Sequence, residues 1–381
     1  LLLRRKGEIV MSVHFMEQPI IRIDGSYGEG GGQILRIAIA LASLLGAPVN
    51  VVNIRAHRPN PGLAAQHLTA IRAVSTLCNA KVQNLAIGSR EITYYPKGIR
   101  GGKFEFDVGT AGSVTLVLQA CMLPSLFAER ELTFKITGGT DVRWAPPVDY
   151  FKHVFLKLIS KLGIDAELKL VRRGYYPKGG GEILFTLRHQ PARKFQPLIL
   201  RDRGKLINIE GIAYSNNLPS HIVSRIKAST LAVLEQHGYE LGNVHIAEAI
   251  DEGGKSVRGT GTGIVLWANT THSVIGSSAL GEPGLRAERV GQSAALELIR
   301  ELRSNASVDR YACDQLLPYL TLATGVLTTA ELTQHSKTCI WLIEQFLGKR
   351  FDIRHINGLN RISCTNPYVR TSATIAKSLY A

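Results

Sequence analysis

Tyr94-Tyr95-Pro96-Lys97-Gly98 returns, residue for residue, as Tyr175-Tyr176-Pro177-Lys178-Gly179. The two copies lie 81 positions apart, a period longer than the roughly 20–50 residues of solenoid repeats. Around each copy the chain follows one pattern, helix–strand–helix–strand–strand, which predicts pseudo-symmetric α/β units. In the first unit Ile34, Ile37, Ala38, Leu41 and Leu45 keep helical spacing. Residues 49–55 then read as a strand, and Pro61 suits the first turn of a helix carrying Ala64, Leu68, Ile71 and Val74. Strands at 92–95 and 103–108 close that unit. The second unit reads as a helix opening at Gly109-Thr110-Ala111-Gly112-Ser113, a strand at 131–137, a helix at 148–162 and strands at 166–171 and 182–187. A third unit is predicted from a helix at 309–323, a strand at 326–333, a helix at 335–347 and a strand at 350–356.

Residues 188–286 break the pattern, with strands at 207–214, 244–250 and 264–268, a helix ending at Gln236 and a glycine-rich turn at 253–263. The predicted class is therefore α/β (α+β). A large domain takes residues 18–187 plus 287–381, and an inserted α/β domain takes 188–286. Residues 1–17 are expected to be a disordered leader outside the fold, with Met11 or Met16 as alternative starts.

The stretch from Gly25 to Arg36 joins a short apolar run, 20–23, to the first helix. Five glycines in eight residues let the backbone approach a ligand and present N–H groups, and the helix N-terminus adds partial positive charge. That combination builds an anion site. Glu29, inside the loop, would repel a phosphate unless a cation bridged the two; otherwise it caps a plain turn. Charge points the same way: 45 Lys and Arg against 30 Asp and Glu leave +15, spread over the chain rather than in one block. Such a surface favours polyanions, nucleic acid among them. No run of about 18 apolar residues exists, which argues against a membrane span. The five cysteines (Cys78, Cys121, Cys313, Cys339 and Cys364) lack any C-x-x-C pairing. They predict buried thiols in a reducing, cytoplasmic compartment rather than disulfides or a zinc site.

Three segments carry a resemblance. Gly28-Glu29-Gly30-Gly31-Gly32-Gln33-Ile34-Leu35-Arg36 is the first, and Arg58-Pro59-Asn60-Pro61-Gly62-Leu63 with Gln66-His67 the second. The third is Arg173-Gly174-Tyr175-Tyr176-Pro177-Lys178-Gly179-Gly180-Gly181. Together they resemble the RNA 3′-terminal phosphate cyclase family, and Ser215 to His221, Tyr311 to Gln315 and His335 extend the likeness over about residues 20–356. The resemblance implies three units like the C-terminal domain of translation initiation factor 3, plus a smaller inserted domain. It implies ATP and Mg²⁺ or Mn²⁺, and an RNA 3′-phosphate end as substrate. A histidine would take AMP from ATP and pass it to the RNA 3′-phosphate. The neighbouring 2′-hydroxyl would then close a 2′,3′-cyclic phosphate and release AMP.

Carried onto this chain, the resemblance makes His335 the nucleophile, at a helix N-terminus that keeps imidazole neutral. Glu29 would hold the metal. Asp314 would be essential, orienting His335 or the metal; as a bare sequence feature it is equally a first-turn helix stabiliser. Arg36, Arg55 and Arg58 match phosphate-contacting positions, with Gln66 in the same cluster. Tyr311 and Pro146 resemble a pair that sandwiches adenine, with Gln119 and Gln315 as polar nucleotide contacts; ordinary packing is the alternative. His57 and His67 are read as structural. The competing readings are a non-catalytic cyclase-like protein of ribosome assembly and an enolpyruvyl transferase built from related repeats. An oligomer is compatible with all three.

Overall fold

A computed structural model describes residues 19–189, 195–251 and 259–368. The leader expected at 1–17 and part of the turn expected at 253–263 lie outside those residues.

The first unit runs β1 (Ile21–Asp24), α1 (Gly32–Leu45), β2 (Val49–Val52), α2 (Ala65–Cys78), β3 (Lys81–Gln83) and β4 (Ile92–Tyr95). Its sheet is ordered β1-β2-β4-β3, with β1 and β2 parallel and the other pairs antiparallel. A parallel neighbour requires a crossover, and α1 supplies it. The second unit repeats this order. It comprises β5 (Gly102–Asp107), α3 (Val114–Ser125), β6 (Leu132–Gly138), a helical run from α4 (Val148–Tyr150) through a π-helical turn (Phe151–Phe155) into α5 (Leu156–Ser160), then β7 (Ala166–Arg172) and β8 (Gly181–Leu187). The sheet is β5-β6-β8-β7, again parallel in its first pair only.

Next comes β9 (Leu198–Ile199), after which the chain departs into β10 (Leu206–Asn216), α6 (His221–Gln236), β11 (Val244–Asp251), β12 (Gly261–Thr270), β13 (Val274–Leu280) and α7 (Ala287–Arg303). It returns as α8 (Arg310–Leu320), β14 (Gly325–Thr329), α9 (Gln334–Leu347), β15 (Phe351–Ile356) and β16 (Leu359–Cys364). Strand β9 pairs in parallel with β14, so the third sheet reads β9-β14-β16-β15, the same order once more. The fourth sheet, β11-β10-β12-β13, has its own apolar core with α6 and α7, including Val223, Ile226, Val290, Ala294 and Leu298.

Two expectations need correction. The sequence pattern places residues 103–108 in the first unit, but β5 pairs with β6 and opens the second. Each unit therefore begins with a strand, and the helix pattern assigns that of the second unit to the first. The two Tyr-Tyr-Pro-Lys-Gly copies also occupy different places. Tyr94 lies near the end of β4, whereas Tyr175 lies between β7 and β8. Tyr94 is buried with its hydroxyl 2.6 Å from Ser43 Oγ on α1. Tyr175 instead faces the fourth sheet, where its hydroxyl donates to Asn216 Oδ1 at 3.0 Å. The match has the right period without marking equivalent positions.

Helix α1 is the centre of the main core. Ile34, Leu35, Ala38, Ile39, Leu41, Ala42 and Leu44 are all buried, and α2, α3 and α9 pack around it. A helix apolar on nearly every side belongs inside, and its many alanines permit close approach. All five cysteines are buried and none forms a disulfide. No described helix is long and apolar enough to cross a membrane.

Two buried charged groups tie the fourth sheet to the rest. The Arg173 guanidinium, 9% exposed, pairs with Asp141 at 3.1 Å and Asp149 at 2.5 Å and lies 3.8 Å over the Tyr214 ring of β10. Asp309 is fully buried and caps α8, accepting from the N–H groups of Tyr311 at 3.1 Å and Ala312 at 2.9 Å. It also accepts from the Tyr150 hydroxyl at 2.6 Å and the Gly276 N–H of β13 at 2.9 Å. One carboxylate thus positions α8 against both bodies. Asp309→Ala is expected to cost about 3–5 kcal/mol, because it removes a cap and strands buried donors. Urea denaturation measures this, and a loss below about 1 kcal/mol would contradict the assignment.

Candidate active site

Helices α1 and α9 begin at the same cleft. Thr333 caps α9, its hydroxyl accepting from Ser336 N–H at 3.1 Å, which places His335 in the first turn. On α1, Gly31 is the cap residue and Gln33 follows one place into the helix. Gln33 is buried and reaches across to the other two helices. Its Nε2 donates to Asp314 Oδ2 on α8 at 3.1 Å and to the His335 carbonyl at 3.2 Å. Both partners are acceptors, so that end of the amide must be the NH₂ and the other end the carbonyl oxygen. Oε1 lies 2.7 Å from His335 Nδ1, and Nδ1 therefore carries a proton. The neutral ring consequently has its lone pair on Nε2.

Nε2 faces Glu29 Oε2 at 3.2 Å, an ion pair only while Nε2 is protonated and a contact that must open before the lone pair is free; Arg58 Nη2 approaches the same oxygen at 3.6 Å. Burial pushes the His335 imidazolium pKa down; Glu29 opposes that, while Arg36 and Arg58 add to it. Asp314 is pushed up to about 7 by burial, against the pull of Arg36. Arg36 itself is lowered to about 10 by burial, with Asp314 opposing, and stays charged at neutral pH. The two groups act on each other electrostatically, each favouring the charged form of the other. Glu29, Gln33, Arg36, Arg58, Asp314 and His335 thus form one connected set.

The loop before α1 is shaped by close approaches. Gly28 has φ +59, and a Cβ there would lie 2.6 Å from Thr338 Oγ1 of α9. A Cβ on Gly32 would lie 2.0 Å from His67 Nε2, so the first residue of α1 must be glycine for that imidazole to fit. His67 Nδ1 accepts from the Ala64 N–H at 3.3 Å. Burial first, then the charges of Arg36 and Arg55, push its pKa down to about 3. Tyr27 stacks on Trp341 of α9 at 3.8 Å and 11°, clamping the loop to the third unit.

The remaining predicted residues fall into two further groups. The Thr115 hydroxyl donates to the Pro146 carbonyl at 2.8 Å, Gln119 Nε2 donates to Gln315 Oε1 at 3.0 Å, and Gln315 Nε2 donates to the Tyr311 carbonyl at 2.8 Å. Gln119, Gln315 and half-exposed Tyr311 are therefore linked across α3 and α8, and Pro146 is held to the first turn of α3. Arg55 and Gln66 are engaged elsewhere: Arg55 Nη1 donates to the Gly62 carbonyl at 2.8 Å, and Gln66 Oε1 accepts from Ser113 N–H at 3.3 Å. Neither makes a direct hydrogen bond to the His335 set. Sequence reasoning missed Gln33 as a functional residue, although a polar side chain at the buried start of so apolar a helix was the available signal.

The arrangement can present a neutral nucleophilic nitrogen to an anion held at two helix N-termini. One half-exposed carboxylate, Glu29, suits a hard divalent ion that keeps phosphate and water oxygens in its remaining positions. No group of three or more His, Cys, Asp or Glu among the described residues forms a closed metal cage.

The chain is similar to known proteins over most of its length. The model of the RNA 3′-terminal phosphate cyclase family matches residues 27–353. A protein of Pyrococcus furiosus named RNA 3′-terminal phosphate cyclase is 45% identical over 335 residues, covering 88% of this chain and 95% of its own. One of the same name from Archaeoglobus fulgidus is 48% identical over 332 residues, covering 87% and 96%. Another, from Methanosarcina mazei, is 41% identical over 362 residues, covering 90% and 99%.

The Gln33 contact has a direct check. In ¹⁵N-histidine NMR, His335 is expected to titrate below the ordinary histidine range and, once neutral, to keep its proton on Nδ1. Gln33→Leu is expected to shift the population towards the Nε2–H tautomer. An unchanged tautomer in that variant would remove Gln33 from this role.

Proposed function

This chain belongs to the RNA 3′-terminal phosphate cyclase family, and we propose that the cleft between α1 and α9 converts an RNA 3′-phosphate to a 2′,3′-cyclic phosphate at the expense of ATP. The observation that carries this is the His335–Gln33–Asp314 chain. It fixes the tautomer of the nucleophile much as a buried carboxylate does in hydrolase triads.

His335 Nε2 attacks the α-phosphorus of ATP. The N–P bond forms as the bond from that phosphorus to the bridging oxygen breaks, and diphosphate leaves. Gln33 Oε1 stabilises the positive charge that develops on the ring through its Nδ1–H. Asp314 holds Gln33 and Arg36 in place. Arg36 and Arg58, with the N–H groups of the α1 and α9 N-termini, offset the charge on the phosphates. Arg55 and Gln66 extend this field from the α2 side. Glu29 is the residue we assign to Mg²⁺ or Mn²⁺, which when bound neutralises the diphosphate leaving group. Holding a cation there would draw Glu29 away from His335 Nε2 and leave its lone pair free. Tyr311 and Pro146 would flank adenine, with Gln119 and Gln315 at its edge.

In the next step an oxygen of the RNA 3′-phosphate attacks the adenylyl phosphorus. The N–P bond breaks and Nε2 recovers its lone pair. The adjacent 2′-hydroxyl then attacks the activated phosphate, closing a five-membered ring and expelling AMP; proximity supplies much of the rate.

Several finer readings accompany this one. The three units of common strand order are taken as resembling the C-terminal domain of translation initiation factor 3. We divide the chain into a large catalytic body and an insert, as the sequence suggests with boundaries at 188–286. The packing of β9 on β14 and of α7 on the fourth sheet supports an insert nearer 206–303. Five buried cysteines, none of them in a disulfide, support a cytoplasmic location.

Incubation with α-³²P ATP and a divalent ion is expected to label the denatured protein, with the label released by acid and stable to alkali. His335→Ala is expected to reduce labelling by about 10³-fold or more. No label with any divalent ion would overturn the adenylylation reading and favour a non-catalytic cyclase-like protein or an enolpyruvyl transferase. Glu29→Ala is expected to raise the metal concentration needed for labelling while leaving thermal stability within about a degree, since its ion pairs are surface-exposed. An unchanged metal requirement would remove Glu29 from the metal site.

A further inference from the structure

Thr338 lies one turn beyond His335 on the same face of α9. It is 4% exposed, and its hydroxyl oxygen is buried with no hydrogen-bond partner. Helical Ser and Thr ordinarily bond back to the carbonyl one turn earlier, and this chain does so elsewhere. Thr76 donates to the Arg72 carbonyl at 2.9 Å, Thr230 to Ile226 at 2.8 Å and Ser75 to Ile71 at 2.6 Å. At Thr338 the same bond, to the Gln334 carbonyl, is not made. Thr338 instead lines a cleft of about 10 Å³ together with Glu29, Gly30, Gly31, Gln33 and His335. A space of that order holds about one water or one phosphoryl oxygen.

A buried hydroxyl left unpaired costs stability, and such a cost is tolerable where a ligand completes the hydrogen bond. We propose that the Thr338 hydroxyl donates to a non-bridging oxygen of the phosphoryl group at His335 Nε2, first the α-phosphate of ATP and then the adenylyl group. This rests on the adenylylation reading above and names a contact which that reading does not need. In the step served, the Nε2–P bond forms and the bond from the α-phosphorus to the bridging oxygen breaks. Diphosphate leaves with the electron pair, while Thr338 keeps its proton throughout. Access of a phosphoryl oxygen to this hydroxyl also depends on Gly28. A Cβ at that position would lie 2.6 Å from Thr338 Oγ1 and cover it.

Two variants separate this from a packing role. Thr338→Val keeps the shape and removes the hydroxyl; Thr338→Ser keeps the hydroxyl and removes a methyl group. Without ATP, Thr338→Val is expected to melt at the wild-type temperature or a degree or two above it, because an unpaired polar group has gone. Its single-turnover labelling rate at saturating α-³²P ATP is expected to fall about 10- to 100-fold, as for loss of a hydrogen bond to a charged group. Thr338→Ser is expected to label within about threefold of wild type. Labelling by Thr338→Val at the wild-type rate would overturn the proposal. So would a melting temperature several degrees lower in Thr338→Val with no rescue of labelling by Thr338→Ser. If the wild-type protein takes no label, the parent reading fails and this proposal falls with it; label in the wild type with full label in Thr338→Val sinks this proposal alone.

Discussion

A single amide, that of Gln33, holds the candidate site together. It reaches Asp314 on α8 and both the ring and the carbonyl of His335 on α9, so three helices from two of the repeated units are set by one side chain. The two acceptors on its NH₂ end leave no freedom in how the amide lies, and the histidine tautomer follows. An imidazole held in this way needs no strong base beside it to keep a lone pair on Nε2. It needs burial and nearby cations to stay neutral, and both are present. Asp314, pushed to about 7, contributes by position more than by full charge, since Arg36 and the amide are its partners.

Everything around that contact concerns space and anchoring. At Gly28 in the loop and Gly32 at the start of α1, Thr338 and His67 come so close that a Cβ could not be fitted without displacement, as the Val52 carbonyl does at Gly25. Stacking of Tyr27 on Trp341 then fixes the loop to α9. Further out, Asp309 and Arg173 place the second unit, the fourth sheet and α8 relative to one another. Buried ionic groups contribute little net stability in general; here they fix geometry, because each has partners in both bodies.

The α/β class, the repetition and the presence of an inserted region can be read from the chain, as can the glycine loop and the residues of the resemblance. Those features are local: helical spacing in α1 and α2, a capping Thr or Ser, glycine where the backbone turns or another segment approaches. The leading strand of the second and third units is hidden. β9 is only two residues long, and sequence order alone attaches β5 to the unit before it, because only its pairing with β6 says otherwise. The repeated pentapeptide has the correct spacing from positions that are not equivalent, since strand order, not identity, defines the repeat.

By itself, then, the sequence determined the elements and the side chains available: a glycine-rich loop before a helix, a carboxylate within that loop, a histidine at a helix start. Tertiary structure alone decided which of these meet. Gln33 and Asp314 are 281 residues apart, and Gln33 and His335 are 302 apart. Nothing in helical or strand periodicity reports on pairs so distant. The same holds for Thr338, an ordinary helical threonine in the sequence, whose unpaired hydroxyl exists only because α9 is packed against α1 and the loop before it.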